Sequence, residues 1–435
     1  MFRRIGEAGS AQAGLVTSRR TSASGWGGEA TARLLAAALL VGVALGGARA
    51  SAAEPPHATA CAAADGTGLR ASLRAELEAY LERRRTPEHI SAVALQATIP
   101  GCRPIDVAVG STRVDGGRPI STQSLWQIGS NTKAFTAVVV LQLEAEGTLS
   151  IDDTLDAWLP QYPAWGRITI RQLLNMTSGI PDYLRLAEFQ RAYAAAPDTV
   201  FSAPELVSYA VGLPLRQGWY YSNTAYLLAQ MIIERAGGET LAAQLRQRII
   251  APLGLRSTFY CPEGCPRAVT ARLPSSYLLH SFPEWASLYG KDQHRRNLSG
   301  GQGAGAIISS LPDLTTWLRA LYEGRMLAPP QQRELESLVA MDSGQPIQAP
   351  SPEHPDGFGL GVMQIWRAGL GPLWFYEGET FSVRVVHIFA PDSGIAVAIG
   401  ANSGPDPDND ELPEFAFTVY ATVQGDAHRG ALEAR

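Results

Sequence analysis

The stretch Ser130-Asn131-Thr132-Lys133 stands at the start of an apolar segment that continues through Ala137–Leu141. A spacing of three places Ser130 and Lys133 on one face of the helix predicted for residues 130–146. The lysine is unusual here, because only two of the 36 basic residues in the chain are lysines. A buried lysine can lose its proton, whereas an arginine stays charged. A serine beside a potentially neutral amine is the basic unit of Ser-Lys catalysis, so Ser130 and Lys133 are candidate catalytic residues.

The same pair also has a purely structural interpretation. A serine often caps the first turn of a helix, and a lysine in the following turn can extend its amine to solvent. Ser130 is the only serine in the chain followed by a lysine at the third position. The catalytic interpretation is therefore favoured if other parts of the sequence supply the partners that such a pair needs.

The N-terminal segment has the pattern of an export signal. Arg33 leads into the apolar run Leu34–Leu45, which is too short to span a bilayer, and small residues follow up to Ala50. We expect residues 1–52 to be a signal peptide, with an uncleaved membrane anchor as the alternative, and the protein to be periplasmic or secreted. Residues 53–67 are predicted to be a flexible lead-in and residues 68–428 the globular domain. No other apolar run is long enough to cross a membrane.

Charge and cysteine content restrict the possible partners. The formal net charge is −5 and no basic stripe is present, so nucleic acid is not an expected partner. The four cysteines of an exported chain permit disulfides, and the pairs Cys61–Cys102 and Cys261–Cys265 are favoured among three connectivities. No C-x-x-C or H-E-x-x-H motif occurs, so no metal or other cofactor is expected.

Strand patterns occur near both ends of the mature chain, and helical patterns lie between them. The simplest packing is an α/β (α+β) fold in which one antiparallel sheet, built from both chain ends, is flanked by the terminal helices beside an inserted, mostly helical lobe. A ligand would bind in the cleft between the sheet and the lobe. The predicted strands are 91–98, 105–110, 360–366, 373–377, 381–389 and 395–401, and the predicted helices are 69–84, 130–146, 169–176, 203–211, 224–236, 240–250, 313–323 and 414–424.

Two further segments carry candidate functional residues. Tyr221-Ser222-Asn223 stands directly before an apolar helix, and in extended backbone Tyr221 and Asn223 point the same way. Tyr376-Glu377-Gly378-Glu379 lies on a predicted strand, where a glycine often marks the close approach of another backbone or a ligand. Taken singly, a helix cap and a simple bulge are the favoured explanations of these segments.

Together the three segments resemble the penicillin-recognising serine hydrolases, which include the class C β-lactamases, the serine DD-peptidases and related esterases. That family carries S-x-x-K, Y-x-N and a K/H-x-G-like triad in this order. The intervening stretches Leu173–Tyr183 (LLNMTSGIPDY) and Gly305–Asp313 (GAIISSLPD) resemble the family as well, with Met176 where histidine is usual. The resemblance covers roughly residues 68–425.

The resemblance implies a role for each matching residue. Ser130 would be the acylated nucleophile, Lys133 would take its proton, and Tyr221 would relay a proton to the leaving group. Asn223 would hydrogen-bond the amide of the substrate. The oxyanion hole would consist of the backbone N–H groups of Ser130 and Glu379, and a nucleophile at a helix N-terminus suits that function.

The third segment departs from the family pattern. Tyr376 stands before Glu377 and Gly378 at a position where many relatives carry the lysine or histidine that helps to hold a substrate carboxylate. Candidates for a replacement cation are Arg384, Arg367 and the pair Arg295-Arg296.

The substrate expected from these features is a small ester or a D-amino-acid amide or peptide, such as the end of a peptidoglycan stem peptide. Esterase-like and D-alanyl-D-alanine carboxypeptidase-like activities are close alternatives, and β-lactamase activity is a third. A non-catalytic penicillin-binding or sensing domain is the alternative from another class. A Ser-His-Asp hydrolase is disfavoured, because no G-x-S-x-G motif is present.

Overall fold

The computed structural model describes residues 67–433. The predicted signal peptide, Cys61 and residues 53–66 of the predicted lead-in lie outside the described residues. The strands in chain order are β1 Ala92–Thr98, β2 Ile105–Gly110, β3 Leu125–Gln127, β4 Thr258–Tyr260, β5 Tyr277–Leu279, β6 Ile307–Ser310, β7 Leu338–Ala340, β8 Pro346–Ile347, β9 Asp356–Phe358, β10 Met363–Arg367, β11 Gly371–Glu379, β12 Arg384–Phe389, β13 Ala396–Ala401 and β14 Ser403–Pro405.

The main sheet has nine strands in the order β2-β1-β13-β12-β11-β10-β9-β7-β8, and every neighbouring pair is antiparallel. Strand β1 from the N-terminal part pairs with β13 from the C-terminal part, with Leu95 opposite Ile399. The prediction of one antiparallel sheet built from both chain ends is therefore confirmed. Two smaller sheets, β3-β6-β4 and the parallel pair β5-β14, were not predicted.

Helices cover both faces of the main sheet. They are α1 Thr67–Glu88, α2 Thr132–Ala145, α3 Leu155–Trp158, α4 Ile170–Leu174, α5 Ala187–Ala195, α6 Ala203–Ser208, α7 Asn223–Gly237, α8 Leu241–Leu245, α9 Arg267–Thr270, α10 Gln302–Gly305, α11 Leu311–Tyr322, α12 Pro329–Leu335 and α13 Leu412–Glu433. The terminal helices α1 and α13 pack on one face, where the rings of Tyr80 and Phe415 stack at 4.4 Å. Helix α11 covers the other face and contacts α2 through the stacked rings of Trp317 and Phe135.

Helix α2 lies at the centre of the helical lobe and contacts α7, α10 and α12. Its side chains are buried almost all round, from Thr132 to Leu143, as its uniformly apolar sequence predicted. The regular helix begins two residues later than predicted. Gly129–Asn131 forms a 3₁₀ turn with Gly129 at a φ of +49°, so Ser130 lies in this turn and the regular helix starts at Thr132.

Other boundaries also differ from the sequence prediction. Strand β10 starts at Met363 rather than at residue 360, because Gly361 has a φ of +79° and interrupts the extended backbone. The segment 340–357, predicted to be a loop, contains β8 and the start of β9. Helix α5 was missed altogether. The predicted Cys261–Cys265 disulfide is present. Among the helices of residues 67–433, none is both long and apolar enough to cross a membrane.

Candidate active site

The Ser130 turn is held directly against the end of strand β11. A Cβ atom on Gly378 would lie 1.9 Å from the carbonyl oxygen of Ile128, and one on Gly129 would lie 2.4 Å from the carbonyl oxygen of Glu379. Both positions therefore require glycine, since any side chain would separate the two backbones. The close approach brings the backbone of Ser130 next to that of Glu379, which are the two predicted oxyanion donors.

Asn131 fixes the turn to the neighbouring strand. Its Nδ2 donates to the carbonyl oxygens of Ile128 and Val385, both at 2.9 Å. Its Oδ1 lies 2.7 Å from Nδ1 of the buried His387, and burial lowers the pKa of His387 to about 3. A neutral imidazole with a proton on Nδ1 satisfies this contact. Sequence reasoning did not single out Asn131, although it lies inside the Ser-x-x-Lys motif.

Lys133 is completely buried, and its Nζ atom is surrounded by three polar atoms. Nζ lies 3.0 Å from Ser130 Oγ, 2.8 Å from Asn223 Oδ1 and 2.9 Å from the carbonyl oxygen of Ala304. Burial lowers the pKa of Lys133 to about 7, while the carboxylate of Asp182 opposes that shift. A neutral amine has two N–H donors and one lone pair. The two carbonyl-type oxygens can take the donors only, so the lone pair faces Ser130.

Asn223 is oriented by Asp182. Its Nδ2 lies 3.2 Å from both carboxylate oxygens of Asp182, which leaves Oδ1 to face Lys133. Burial raises the pKa of Asp182, and Arg185, 3.6 Å away, opposes this shift. The sequence predicted a substrate contact for Asn223. In the structure the side chain lies in the cavity wall with its amide bonded to Lys133 and Asp182.

Tyr221 reaches the other side of Ser130. Its Oη donates a 2.7 Å hydrogen bond to Ser130 Oγ and lies 3.4 Å from Tyr376 Oη. Burial raises the pKa of Tyr221, so the hydroxyl stays protonated at neutral pH. Extended backbone at Ser222 places Tyr221 and Asn223 on the same side, as the spacing predicted, and the Ser222 hydroxyl caps helix α7 by accepting from the N–H of Ala225.

Met176 holds the backbone around Tyr221 through two hydrogen bonds. Its backbone has a φ of +65°, its Sδ accepts from the N–H of Ser222 at 3.3 Å, and its carbonyl oxygen accepts from the N–H of Tyr220 at 2.9 Å. The stretch that carried Met176 and Asp182 was noted in the sequence only as a resemblance. The structure shows why it matters: one residue of it orients Asn223 and another fixes the backbone around Tyr221.

A cavity of about 730 Å³ opens above Ser130, Tyr221 and Asn223. Glu377 lines it and hydrogen-bonds Asp410, which is ion-paired with the fully buried Arg384. Two adjacent carboxyl groups need a proton between them. Burial and Asp410 raise the pKa of Glu377 well above its usual range, while Arg384 lowers that of Asp410 against the effect of burial. Of the two carboxyl groups, Glu377 is therefore the one that holds a proton more readily.

Of the arginines suggested as a replacement cation, only Arg296 lines the cavity, and Arg295 instead donates to His294 Nε2. Arg384 pairs with Glu88 and Asp410 inside the protein, and Arg367 lies over the ring of Phe417. Arg296 lines the cavity and pairs with the exposed Asp198. The cation that many relatives carry at the position of Tyr376 therefore has no direct substitute among these residues.

The side chain of Glu379 is held by His280 at the rim of the same cavity. His280 Nε2 lies 2.9 Å from Glu379 Oε1, and its Nδ1 lies 3.9 Å from Asp406. Burial alone would lower the pKa of His280, but the two carboxylates outweigh it and the net shift is upward. This contact fixes the side chain of the residue that is predicted to supply the second oxyanion donor. Within residues 67–433, no group of three or more His, Cys, Asp or Glu side chains could hold a metal ion.

The fold and this site define the protein class: an antiparallel sheet beside a helical lobe, with a serine, a buried lysine and a tyrosine at their junction. Residues 77–421 match the Beta-lactamase family, so the chain belongs to that family of serine hydrolases.

Comparison with individual proteins gives the same family and several activities. The chain is 31% identical over 247 residues to Penicillin-binding protein 4* of Bacillus subtilis, covering 53% of this chain and 52% of that protein. It is 31% identical over 220 residues to esterase EstB of Burkholderia gladioli, covering 44% and 52%. The chain thus spans about half the length of these relatives. A crystal structure of a D-stereospecific amidohydrolase from Streptomyces matches with a TM-score of 0.64 and 28% identity, over 78% of this chain and 94% of that one.

Proposed function

We propose that this protein is an exported serine hydrolase that acts through an acyl-enzyme on a small ester or a D-amino-acid amide. The arrangement of Lys133 carries the proposal. Its two N–H groups are taken by Asn223 and Ala304, and its lone pair faces Ser130. A pKa of about 7 leaves a substantial neutral fraction at physiological pH, which a general base requires.

In the acylation step the Ser130 oxygen attacks the carbonyl carbon of the substrate while its proton passes to Lys133 Nζ. The carbonyl oxygen becomes an oxyanion that accepts from the N–H groups of Ser130 and Glu379. Tyr221, 2.7 Å from Ser130, donates its proton to the leaving oxygen or nitrogen as the carbon–leaving-group bond breaks, and regains a proton from the Lys133 ammonium. Water then attacks the acyl carbon and gives a proton to Lys133. The bond between that carbon and Ser130 Oγ breaks, Oγ takes the proton back from Lys133, and the acid is released.

The walls of the cavity favour substrates without a carboxylate near Tyr376. Tyr376, at the position where many relatives carry a cation, offers only a hydroxyl, which lies 3.4 Å from Tyr221 Oη. A desolvated carboxylate without a partner costs several kcal/mol. Esters and amides of the kind handled by the esterase and D-stereospecific amidohydrolase relatives therefore fit better than penicillins or peptides ending in D-alanine.

The test is turnover and labelling by the purified chain without its first 52 residues. We expect hydrolysis of p-nitrophenyl acetate or of D-amino-acid amides, and covalent labelling by a fluorophosphonate at Ser130, mapped by mass spectrometry. Ser130→Ala should lower turnover on the order of 10³-fold or more and abolish the label. Labelling without turnover would favour a sensing domain, and labelling elsewhere would contradict the assignment of Ser130.

Export rests on the sequence pattern at residues 33–50 and is compatible with the Cys261–Cys265 disulfide. Expression of the full chain in a bacterial host, followed by fractionation and mass spectrometry of the N-terminus, tests it. Cleavage near residue 50 with recovery outside the cytoplasm is the expected result. An uncleaved protein in the cytoplasmic fraction would contradict it.

A further inference from the structure

Four aromatic side chains line one side of the active-site cavity: Tyr193, Phe282, Trp285 and Phe381. They come from three separate segments, namely helix α5, the turn at residues 282–285 and the residues that follow β11. The ring centroids of Trp285 and Phe381 are 4.6 Å apart at 73°, and those of Phe282 and Trp285 are 5.1 Å apart at 84°. Edge-to-face contacts of this kind hold rings in fixed orientations.

The aromatic side of the cavity lies next to the reacting centre. Phe381 follows two residues after Glu379, whose backbone closely approaches Gly129, the residue before Ser130. His280, which hydrogen-bonds the Glu379 carboxylate, stacks on Phe282 with the ring centroids 5.4 Å apart. A substrate carbonyl bound at Ser130 could therefore carry its substituent directly onto these rings.

Two of the rings are fixed inside the protein and one is presented to the cavity. Tyr193 and Trp285 are only 4% and 3% exposed, whereas Phe282 is 39% exposed. An exposed phenylalanine alone needs no explanation, but this one lies against buried aromatic rings at the wall of the cavity that holds the nucleophile. Such a wall is organised before the ligand arrives, so little conformational freedom is lost on binding.

The charged side chains around the rings suit an uncharged ligand better than an anionic one. Glu379, Asp406 and Asp408 line the cavity, and the two arginines that line it, Arg185 and Arg296, are already paired with Asp182 and Asp198. We propose that Tyr193, Phe282, Trp285 and Phe381 form a subsite for an uncharged aromatic group of the substrate. This inference rests on the proposed hydrolase function and adds to it the class of substituent that the site selects.

Matched esters test the subsite and show which side of the scissile bond it serves. One series varies the acyl part, with ethyl esters of 3-phenylpropanoate, 3-cyclohexylpropanoate and propanoate. The other varies the leaving group, with acetates of 2-phenylethanol, 2-cyclohexylethanol and ethanol. In the series whose varied group occupies the subsite, we expect the phenyl compound to exceed the compound without a ring in kcat/KM by about ten- to a hundredfold. It should exceed the cyclohexyl compound by about two- to tenfold. No preference for phenyl over cyclohexyl in either series would overturn the proposal.

Substitutions then assign the preference to these side chains. Phe282→Leu and Phe381→Leu should lower the ratio of phenyl to ring-free kcat/KM to about threefold or less, because leucine keeps apolar volume without a ring face. Tyr289→Leu is the matched control, since Tyr289 lies close by in the chain, is 54% exposed and does not line the cavity. A ratio that stays at the wild-type value in both phenylalanine variants would overturn the assignment.

Binding without turnover separates the subsite from the hydrolase function. The Ser130→Ala variant should bind 3-phenylpropanamide at least about tenfold more tightly than propanamide in calorimetry. Selective binding with no hydrolysis of any ester by the wild type would support the subsite and contradict the function. Hydrolysis without ring preference, together with equal binding of the two amides, would overturn the subsite and leave the function intact.

Discussion

Tyr376 Oη lies 3.4 Å from Tyr221 Oη, and Tyr221 Oη lies 2.7 Å from Ser130 Oγ. The three hydroxyls therefore form a chain that ends at Nζ of Lys133, 3.0 Å from Ser130 Oγ. Burial raises the pKa of Tyr376 well above its usual range, so Tyr376 acts as a neutral donor. A cation at this position would stabilise negative charge on the Tyr221 oxygen more strongly than a hydroxyl does. Compared with a lysine or histidine at this position, Tyr376 thus gives the site less positive charge but keeps a hydrogen bond to Tyr221.

Removing the Tyr376 hydroxyl should have a small effect on catalysis. Tyr376→Phe deletes one neutral hydrogen bond, which corresponds to a fall in kcat of about two- to tenfold with little change in KM. Tyr221→Phe removes the proposed proton donor and should lower kcat about 10²- to 10⁴-fold. Both are measured by steady-state kinetics with p-nitrophenyl acetate. Equal losses in the two variants would mean that Tyr376 takes part in proton transfer itself.

Lys133→Arg should be nearly as damaging as Lys133→Ala. Arginine preserves a positive charge at this position but cannot act as a neutral base. The guanidinium group of arginine is also larger and planar, so it cannot make the 2.8 Å and 2.9 Å contacts of Nζ with Asn223 and Ala304 in the same geometry. Kcat/KM for an activated ester, together with circular dichroism to show that each variant folds, decides the question. Most of the activity surviving in Lys133→Arg would show that Lys133 is a structural cation.

The rate should depend on pH through Lys133. The active form is the neutral amine, and the pKa of Lys133 is about 7, so kcat/KM should rise with pH through about 7 and level off above it. The Asp182 carboxylate raises the pKa of Lys133, so Asp182→Asn should move the rise of kcat/KM to lower pH. Asp198→Asn, at an exposed position, serves as the control. If kcat/KM of Asp182→Asn rises at the same pH as that of the wild type, a group other than Lys133 controls the pH dependence.

The sequence contained enough to predict the sheet and the centre of the site. Alternating and apolar strands at both ends, with helical periodicity between them, led to the correct antiparallel sheet, because strand pattern and chain order restrict the pairing strongly. Ser130, Lys133, Tyr221 and Asn223 could be found because three short motifs fix their local geometry. The structure brings all four within hydrogen-bonding distance of a neighbour in the set.

The residues that orient the motif side chains could not be found in this way. Asp182 lies 41 positions before Asn223, and His280 lies 99 positions before Glu379, so no local pattern connects them. The 3₁₀ turn at Ser130 depends on the backbone of β11 meeting Gly129, which is a tertiary contact. The sequence likewise left open whether Arg384 was a substrate-binding cation, because burial and ion pairing depend on three distant segments.

Arg384 should be a structural residue rather than a substrate contact. It is 0% exposed and joins Glu88 at the end of α1 to Asp410 before α13, with Nε donating to the carbonyl oxygen of Ser403 at 2.9 Å. Arg384→Met would leave two buried carboxylates without their shared cation. Breaking a buried ion pair in this way lowers the free energy of unfolding by about 3–5 kcal/mol.

Urea unfolding of the wild type and Arg384→Met measures this loss. The control is Arg74→Met, because Arg74 is exposed and lies 3.7 Å from Glu78, a surface pair worth at most about 1 kcal/mol. Arg384→Met should also show no selective loss of activity toward substrates with a carboxylate, since the side chain does not line the cavity. A stable variant that specifically lost such substrates would instead make Arg384 the replacement cation that the sequence had left open, and the preference for uncharged substrates would then have to be abandoned.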